Sequence, residues 1–290
     1  MNVPVFVGVN VSSEHLDAAF GPQGRVLGLG NASAGIGKPI ERLRGLDVAV
    51  VLLEAAGGWE RAPAEALAEE SVPAAIANPR RVRDCARAMG VPAETDAVDA
   101  KAIAQLAAAG RYRLRTAPEP AVRELAEPAA RRLQPVTQRT AELNRRRLVR
   151  SREVEADISR AAAGLGRRIE RLDGKIAEPI AASPYLATRA EPIASVPGAG
   201  PQLAAAISAC LPEPGRTGNK QVCASVGAAP PNRDGGKYVG RRFVWGGRAR
   251  VRAAPYVAAL SASQHDPAIG AFCDRPVKAG KPKKVALAAC

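Results

Sequence analysis

The sequence predicts an α/β domain at the N-terminal end of the chain, followed by mainly helical structure. Segments rich in β-branched residues lie among the first 80 residues, where they alternate with segments of helical periodicity. Between residues 116 and 182 the sequence carries no strand signal. Of the 290 residues, 47% are hydrophobic and 24% are charged, which is typical of a globular protein. This length allows one large domain or two ordinary ones.

Three strands are predicted at the start of a first block, residues 1–115. Residues 3–11 (VPVFVGVNV) are rich in β-branched side chains and predict a buried strand. Residues 16–20 and 25–29 predict two further strands, because the sequence GPQG between them is a turn signal. Together the three segments predict an antiparallel meander.

Helices and strands are predicted to alternate through the rest of this block. The run VAVVLL is continuously apolar, which is typical of a central strand covered on both faces. Thr95 is predicted to cap the helix that follows it. The predicted elements are, in order, helix 36–43, strand 48–53, helix 59–70, strand 72–77, helix 80–89 and helix 95–109. This is the element order of an RNase H-like fold, although periodicity alone gives only the α/β class.

A second block, residues 116–190, is predicted to be a basic helical linker that resembles a coiled coil. Residues 131–152 hold eight arginines and one acid, with leucine and valine at partly helical spacing. This pattern predicts a pair of long basic helices. Pro128 and Pro135 are expected to kink or end the first helix, because proline removes a backbone donor and clashes with the preceding turn.

A third block, residues 191–290, is predicted to be mainly helical. Residues 193–207 (IASVPGAGPQLAAAI) predict two helices joined by a tight turn, which is the pattern of a helix-hairpin-helix element. In such an element Gly198 and Gly200 would leave backbone N–H groups open to a phosphate oxygen, and Pro197, in the same turn, is counted with them as a predicted nucleic-acid contact. The alternative is a plain turn between two helices, in which glycine serves the geometry alone.

A surplus of basic residues predicts a nucleic-acid partner. The chain has 42 lysines and arginines against 28 acids, a net charge of +14 that nucleic-acid phosphates would attract. A genome rich in G and C would also enrich arginine, but it does not explain why the basic residues cluster. Aromatic residues are only 3% of the chain, which argues against base stacking as the main binding mode. The predicted phosphate contacts are Arg145, Arg146, Arg147, Lys237, Arg241, Arg242, Arg248, Arg250 and Arg252.

Three other classes of protein are not expected. No run of about 18 apolar residues is free of charge, so no membrane-spanning helix is predicted. The N-terminus has no lysine or arginine before its apolar stretch, unlike a signal peptide. The five cysteines are scattered without a CxxC pair, which argues against a structural zinc site or a disulfide framework. Their number and spacing predict a protein of the reducing cytoplasm.

Carboxylates are the candidates for catalytic chemistry. Asp96 and Asp99 lie three residues apart on a predicted helix and therefore share one face. Glu54 follows the apolar strand at its carboxyl end, where α/β sheets place their sites. Converging carboxylates can hold Mg²⁺ for phosphoryl transfer. Exposed helices often carry such pairs. The Asp-x-x-Asp spacing alone therefore leaves open whether the two carboxylates bind a metal or lie on an exposed helix face.

The order of several segments resembles that of a known family. The N-terminal segments are VGVNVS at 7–12, VLLEAAGGWE at 51–60 and TDAVDAK at 95–101. The C-terminal segments are SVPGAGP at 195–201, GAAP at 227–230, GRARVR at 247–252, AALSA at 258–262 and GKPKKVA at 280–286. In this order and spacing they resemble the insertion-sequence transposases of the IS110 family, over nearly the whole chain.

The resemblance implies a site-specific DNA recombinase. In the family, four acids of a RuvC-like N-terminal domain bind Mg²⁺, and a serine of the C-terminal domain attacks a DNA phosphodiester to form a covalent phosphoserine link. The implied partners are the DNA of the element ends and the target, a structured guide RNA, and further copies of the chain in a dimer or tetramer. Carried over, Glu54 matches the second acid, while Asp96 and Asp99 match the last two.

Two positions depart from the family pattern. The first acid falls on Asn10, whose amide oxygen can coordinate Mg²⁺ but brings no negative charge. The nucleophilic serine falls on Gly235, which has no side chain to act as a nucleophile. Ser225 and Tyr238 lie near in sequence, but neither occupies the motif position.

Three functions therefore stay open at this point. The first is an active recombinase in which Glu54, Asp96 and Asp99 hold the metal and another nucleophile attacks. The second is a catalytically inactive remnant that still binds DNA or RNA through its basic surfaces. The third is a RuvC-like nuclease that uses metal-activated water. Under the RNase H-like prediction, Asn10 and the three acids are expected to converge at one end of the sheet.

Overall fold

The computed structural model describes residues 4–90, 95–110, 112–115, 119–197, 199–211, 218–230, 232, 234–236, 238–240, 243–244, 247 and 249–290. The chain divides into two compact units, Met1–Ala117 and Pro118–Cys290. The division falls close to the first block boundary expected from the sequence. Among the described residues, no helix has the length and apolar character needed to cross a bilayer.

A five-stranded mixed sheet forms the centre of the first unit. Its strand order is β3-β2-β1-β4-β5, with β1, β2 and β3 antiparallel and with β4 and β5 parallel to β1. The elements are β1 (Val5–Val11), β2 (His15–Phe20), β3 (Val26–Gly30), α1 (Ser33–Leu43), β4 (Val48–Glu54), α2 (Arg61–Glu69), β5 (Ala74–Ala77), α3 (Pro79–Ala88) and α4 (Asp96–Ala108). The α/β prediction is confirmed, and the arrangement is consistent with an RNase H-like domain.

Helices cover both faces of this sheet. The alternation of side chains along β1 sends Val7 and Val9 into an apolar cluster with Ile40 of α1 and Leu67 of α2. On the opposite face, residues of β4 and β5 pack with α3 and α4 around the fully buried Ile103. The two-sided burial explains why β4 is a continuous apolar run in the sequence.

Helices make up most of the second unit. Its elements are α5 (Pro120–Arg146), α6 (Arg152–Ala182), α7 (Pro184–Ala194), α8 (Pro201–Cys210), α9 (Asn219–Val226), β6 (Asp234–Gly235), β7 (Tyr238–Val239), α10 (Ala249–His265), α11 (Pro267–Lys278) and α12 (Lys283–Ala289). The long helices α5 and α6 pack along one another, and Arg132 of α5 forms a salt bridge with Asp173 of α6. A buried cluster that includes Leu125, Ile176 and Leu186 joins α5, α6 and α7.

The two prolines of the basic segment do not end the first helix. The expectation that they would end it is wrong, because α5 continues through both Pro128 and Pro135. Each proline costs one backbone hydrogen bond and about 3 kcal/mol in a helix interior. Packing of α5 against α6 offsets this cost, and Pro135 itself is fully buried.

The predicted helix-hairpin-helix lies between α7 and α8. The first of these helices ends at Ala194 and the second begins at Pro201 after the N-cap residue Gly200. Pro197 is exposed in the connection, whereas Gly198 lies outside the described residues. Two helices therefore flank the motif as expected, and the phosphate-binding turn itself stays a prediction. The predicted boundary at residue 190 falls inside α7 and likewise stays a prediction.

Candidate active site

The carboxyl ends of two parallel strands bring two of the predicted site residues to one edge of the sheet. In the register between β1 and β4, Val9 lies beside Leu53. The next residue on each strand is Asn10 and Glu54, respectively, and both side chains are half-buried. Because the strands are parallel, these side chains leave the sheet at the same edge.

A close approach of helix and strand places α4 against this edge. A Cβ atom built on Gly8 would lie 2.2 Å from the backbone nitrogen of Ala104 and 2.3 Å from the carbonyl oxygen of Ala100. Only glycine leaves enough room for the helix to pack so closely on β1. The start of α4 consequently lies beside the carboxyl end of β1.

The first turn of α4 carries the Asp pair. The Thr95 hydroxyl accepts a hydrogen bond from the Val98 backbone N–H at 3.3 Å, which confirms the predicted N-cap. Asp96 is the first residue of the helix, and its Oδ1 accepts a hydrogen bond of 3.0 Å from Asn10 Nδ2. Asp99 follows one turn later on the same face.

The Glu54 carboxyl lies within electrostatic reach of Asp99. The pKa of the Glu54 carboxyl is raised above its ordinary value, first by partial burial and then by the negative charge of Asp99. The positive charge of Arg83, on α3, acts in the opposite direction. At this edge, therefore, Asn10 contacts Asp96 directly, and the charge of Asp99 acts on Glu54.

Asp17 is an acid of this edge that the sequence analysis did not identify. It lies opposite Asn10 in the antiparallel register of β1 and β2. Its pKa is raised by burial and then by the charge of Asp96, while His15 acts in the opposite direction. The signal that could have identified Asp17 is the short connection at residues 12–14, since counting back from it along β1 and β2 pairs position 11 with 16 and position 10 with 17.

The carboxylate oxygens of Glu54, Asp96 and Asp99 suit a divalent cation, although the three side chains are not gathered around one point. Carboxylate oxygens are the ligands that Mg²⁺ prefers. Throughout the described ranges, no three His, Cys, Asp or Glu side chains are grouped closely enough to hold a metal ion. Asn10 also directs its N–H, and not its oxygen, toward Asp96. A cation held by Glu54, Asp96 and Asp99 would therefore require these carboxylates to draw together.

The position expected to carry the nucleophile lies in a small hairpin of the second unit. Gly235 is exposed on β6, opposite Tyr238 of β7, and a Cβ atom built on it would meet nothing within 4 Å. Ser225 is half-buried on α9, and Tyr238 is 69% exposed. The backbone at residue 235 can thus accept a side chain without a clash.

The predicted phosphate contacts are only partly described. Arg145 and Arg146 end α5, Arg147 follows as its C-cap, and all three are exposed. Arg252 donates a hydrogen bond of 3.1 Å to the Gly227 carbonyl, so part of its donor capacity is used within the protein. The backbone of Arg250 is helical. Lys237, Arg241, Arg242 and Arg248 lie outside the described residues.

Removing the charge of Glu54 is expected to stabilise the first unit. Because the folded state raises the pKa of this carboxyl, the charged form lowers the free energy of unfolding above the ordinary pKa of 4.5, and the penalty disappears at lower pH. At pH 7, Glu54→Gln should raise the Tm by about 2 °C, which corresponds to a gain of less than about 1 kcal/mol in the free energy of unfolding. Glu41→Gln, on an exposed face of α1, is the control. A gain that persisted below the ordinary pKa would contradict the assignment.

Two family models match the sequence. The DEDD-type model of the IS110 elements, described as a transposase, matches residues 7–149, the range that includes all four predicted acid positions. A second model, described as the transposase of the IS116/IS110/IS902 family, matches residues 190–274. These matches confirm the family resemblance. No relative among curated proteins matches the sequence.

Proposed function

The chain belongs to the IS110 family of transposases, and on that premise we propose that it recombines the DNA of an insertion sequence by phosphoryl transfer. The observation that carries this proposal is the edge of the sheet where Asn10 contacts Asp96 and the charge of Asp99 acts on Glu54. This edge lies in the range matched by the DEDD-type model, whose family usually depends on a divalent metal. Membership in the family also implies that the chain binds DNA.

Glu54, Asp96 and Asp99 are the residues that would hold the metal, which we propose to be Mg²⁺. When bound, Mg²⁺ supplies positive charge that stabilises the charge developing on a phosphodiester under attack. Two other residues position the helix that carries Asp96 and Asp99. The Thr95 cap fixes the start of α4, and Gly8 fixes the distance of α4 from β1. The half-buried setting of Glu54 and Asp99 would strengthen their electrostatic attraction to a cation.

We keep a second candidate, a catalytically inactive copy that binds nucleic acid, on the basis of the residues at two positions that we match to the family pattern. Asn10 replaces the first acid, and Gly235 replaces the nucleophilic serine. An active enzyme would therefore need another nucleophile, either Ser225, Tyr238 or a water molecule, and would work at a site with reduced negative charge.

A strand-transfer assay separates the two candidates. Full-length protein is incubated with labelled element-end DNA, target DNA, the element RNA and Mg²⁺, and the products are resolved on a denaturing gel. Cleavage or joining that requires Mg²⁺ and falls at least about 100-fold in Asp99→Asn would support recombination, since metal-bound acids contribute effects of this order. Binding without any cleavage would support the inactive copy.

Exposed arginines suggest how the nucleic acid is held. Arg145, Arg146 and Arg147 are consecutive and exposed at the end of α5, where their guanidinium groups can contact phosphates, and that of Arg145 also forms an ion pair with Glu142. The partners we propose are element-end and target DNA, a structured guide RNA and further copies of the chain, all in the cytoplasm. The contacts we propose are to phosphates, so binding should tolerate changes in base sequence.

The salt dependence of binding tests this surface. Each phosphate contact contributes about −0.9 to the slope of log K against log salt for duplex DNA. Changing Arg145, Arg146 and Arg147 together to glutamine should therefore make the slope shallower by about 3. The control changes Arg167, Arg171 and Lys175, exposed on α6, to glutamine and removes the same charge. If the control variant changed the slope equally, binding would depend on net charge and not on this surface.

A further inference from the structure

Asn10 lies between two carboxylates. Directly paired residues of an antiparallel ladder project from the same face of the sheet, so Asp17 flanks Asn10 on one side. The neighbouring residue on that face, Ala19, packs with Ala104, which identifies the face as the one covered by α4. On its other side Asn10 donates its hydrogen bond of 3.0 Å to Asp96.

The two carboxylates repel each other, and the Asn10 amide moderates that repulsion. The charge of Asp96 acts unfavourably on Asp17. The amide N–H of Asn10 presents a partial positive charge to Asp96, whereas an ionised aspartate at position 10 could only accept hydrogen bonds. An aspartate there would place a third carboxylate beside Asp17 and Asp96 and would remove the donor.

We propose that the Asn10 amide takes the place of a cation between Asp17 and Asp96, so that the first unit keeps its fold without a bound metal ion. Asn10 is then a positioning residue, which holds Asp96 at the sheet edge. The inference rests on the proposed function, because it takes Asp96 as a residue that a metal would otherwise hold. It follows that Asn10→Asp should make the fold of this unit depend on a divalent cation.

Thermal unfolding of the full chain tests this dependence. The Tm is measured in EDTA and in millimolar Mg²⁺ or Mn²⁺, and hydrogen exchange in peptides of β1, β2 and α4 assigns the change to the first unit. The wild-type protein should stay folded in EDTA, and its Tm should rise with the cation by less than that of Asn10→Asp, because a metal held by Glu54, Asp96 and Asp99 also stabilises the native state. For Asn10→Asp the Tm should fall by about 5 °C in EDTA and recover with the cation, a shift typical of one lost interaction in a unit of this size.

A charge-swapped variant separates the proposal from a simple loss of one hydrogen bond. In Asn10→Asp/Asp96→Asn the donor and acceptor are exchanged and the total charge is that of the wild type. This variant should regain the wild-type Tm in EDTA. Asn10→Ala, which removes the hydrogen bond without adding charge, should be destabilised less than Asn10→Asp and should not respond to the cation. Asn10→Asp/Asp17→Asn should be intermediate, because it restores the charge but not the hydrogen bond.

The outcomes distinguish this inference from the proposed function. Equal stability of Asn10→Asp and wild type in EDTA would overturn the inference, as would a swapped variant no more stable than Asn10→Asp. If Asn10→Asp is destabilised and neither Mg²⁺ nor Mn²⁺ restores its stability, the inference that the amide takes the place of a cation is overturned, even if the swapped variant regains the wild-type Tm. The proposed function is tested separately, by the Mg²⁺ dependence of strand transfer. If Asn10→Asp does not fold, the Tm of the swapped variant in EDTA is compared with that of Asn10→Ala. A swapped variant with the higher Tm supports the inference, and one with an equal or lower Tm overturns it.

Discussion

Replacing Gly8 by alanine is expected to lower the Tm of the first unit by about 10 °C or more. The added Cβ would lie 2.2 Å and 2.3 Å from backbone atoms of Ala104 and Ala100, distances that no side-chain rotation can relieve. Helix α4 would have to move away from β1, and overpacking of this kind costs about 3 kcal/mol or more when it displaces backbone. Calorimetry of the full chain measures the change.

A second glycine substitution provides a control of opposite sign. Gly37 lies inside α1, and a Cβ atom built on it would meet nothing within 4 Å. Gly37→Ala should therefore stabilise the unit by about 0.5–1 kcal/mol, because alanine favours the helix interior. A similar small effect at Gly8 would mean that α4 does not depend on close contact with β1. Gly8→Ala should also weaken the Asn10–Asp96 contact, since it moves α4.

Strands and helices of the first unit could be predicted from the sequence because their signals are local. The apolar run at residues 48–53 became β4, one residue longer than predicted, and Thr95 caps α4 as its sequence context indicated. The edge that brings Asn10 and Glu54 together also follows from this pattern, because parallel strands end together. Its roles in metal binding and catalysis stay predictions.

Features that depend on tertiary packing could not be predicted in this way. Pro128 and Pro135 carry a local signal that ends helices, but the contact between α5 and α6 outweighs it. Asp17 has no motif, and its position beside Asn10 comes from strand register. The closeness of Gly8 to α4 likewise depends on packing between elements that are nearly 100 residues apart in the chain.

The variant Asn10→Asp/Gly235→Ser is expected to form a covalent link to element-end DNA, whereas the wild type forms none through residue 235. Serine at 235 supplies the hydroxyl that attacks the phosphodiester, and the backbone there leaves a new Cβ free of contacts within 4 Å. Aspartate at 10 supplies the missing negative charge beside Asp96. The measurement is a denaturing gel of protein with labelled DNA, Mg²⁺ and the element RNA, after circular dichroism has established that each variant folds.

The two single variants show which departure from the family limits the reaction. Asn10→Asp alone should form no link, because it leaves no nucleophile at residue 235. Gly235→Ser alone should form it at least about tenfold more slowly than the double variant, since one missing charge at a metal site costs about 1.4 kcal/mol or more. Equal rates for Gly235→Ser and the double variant would mean that the acids present in the wild type, Asp17 among them, already suffice. A covalent adduct of the wild-type protein would contradict the prediction that residue 235 is limiting, and mass spectrometry of the adduct would then test Ser225 and Tyr238 as the nucleophile.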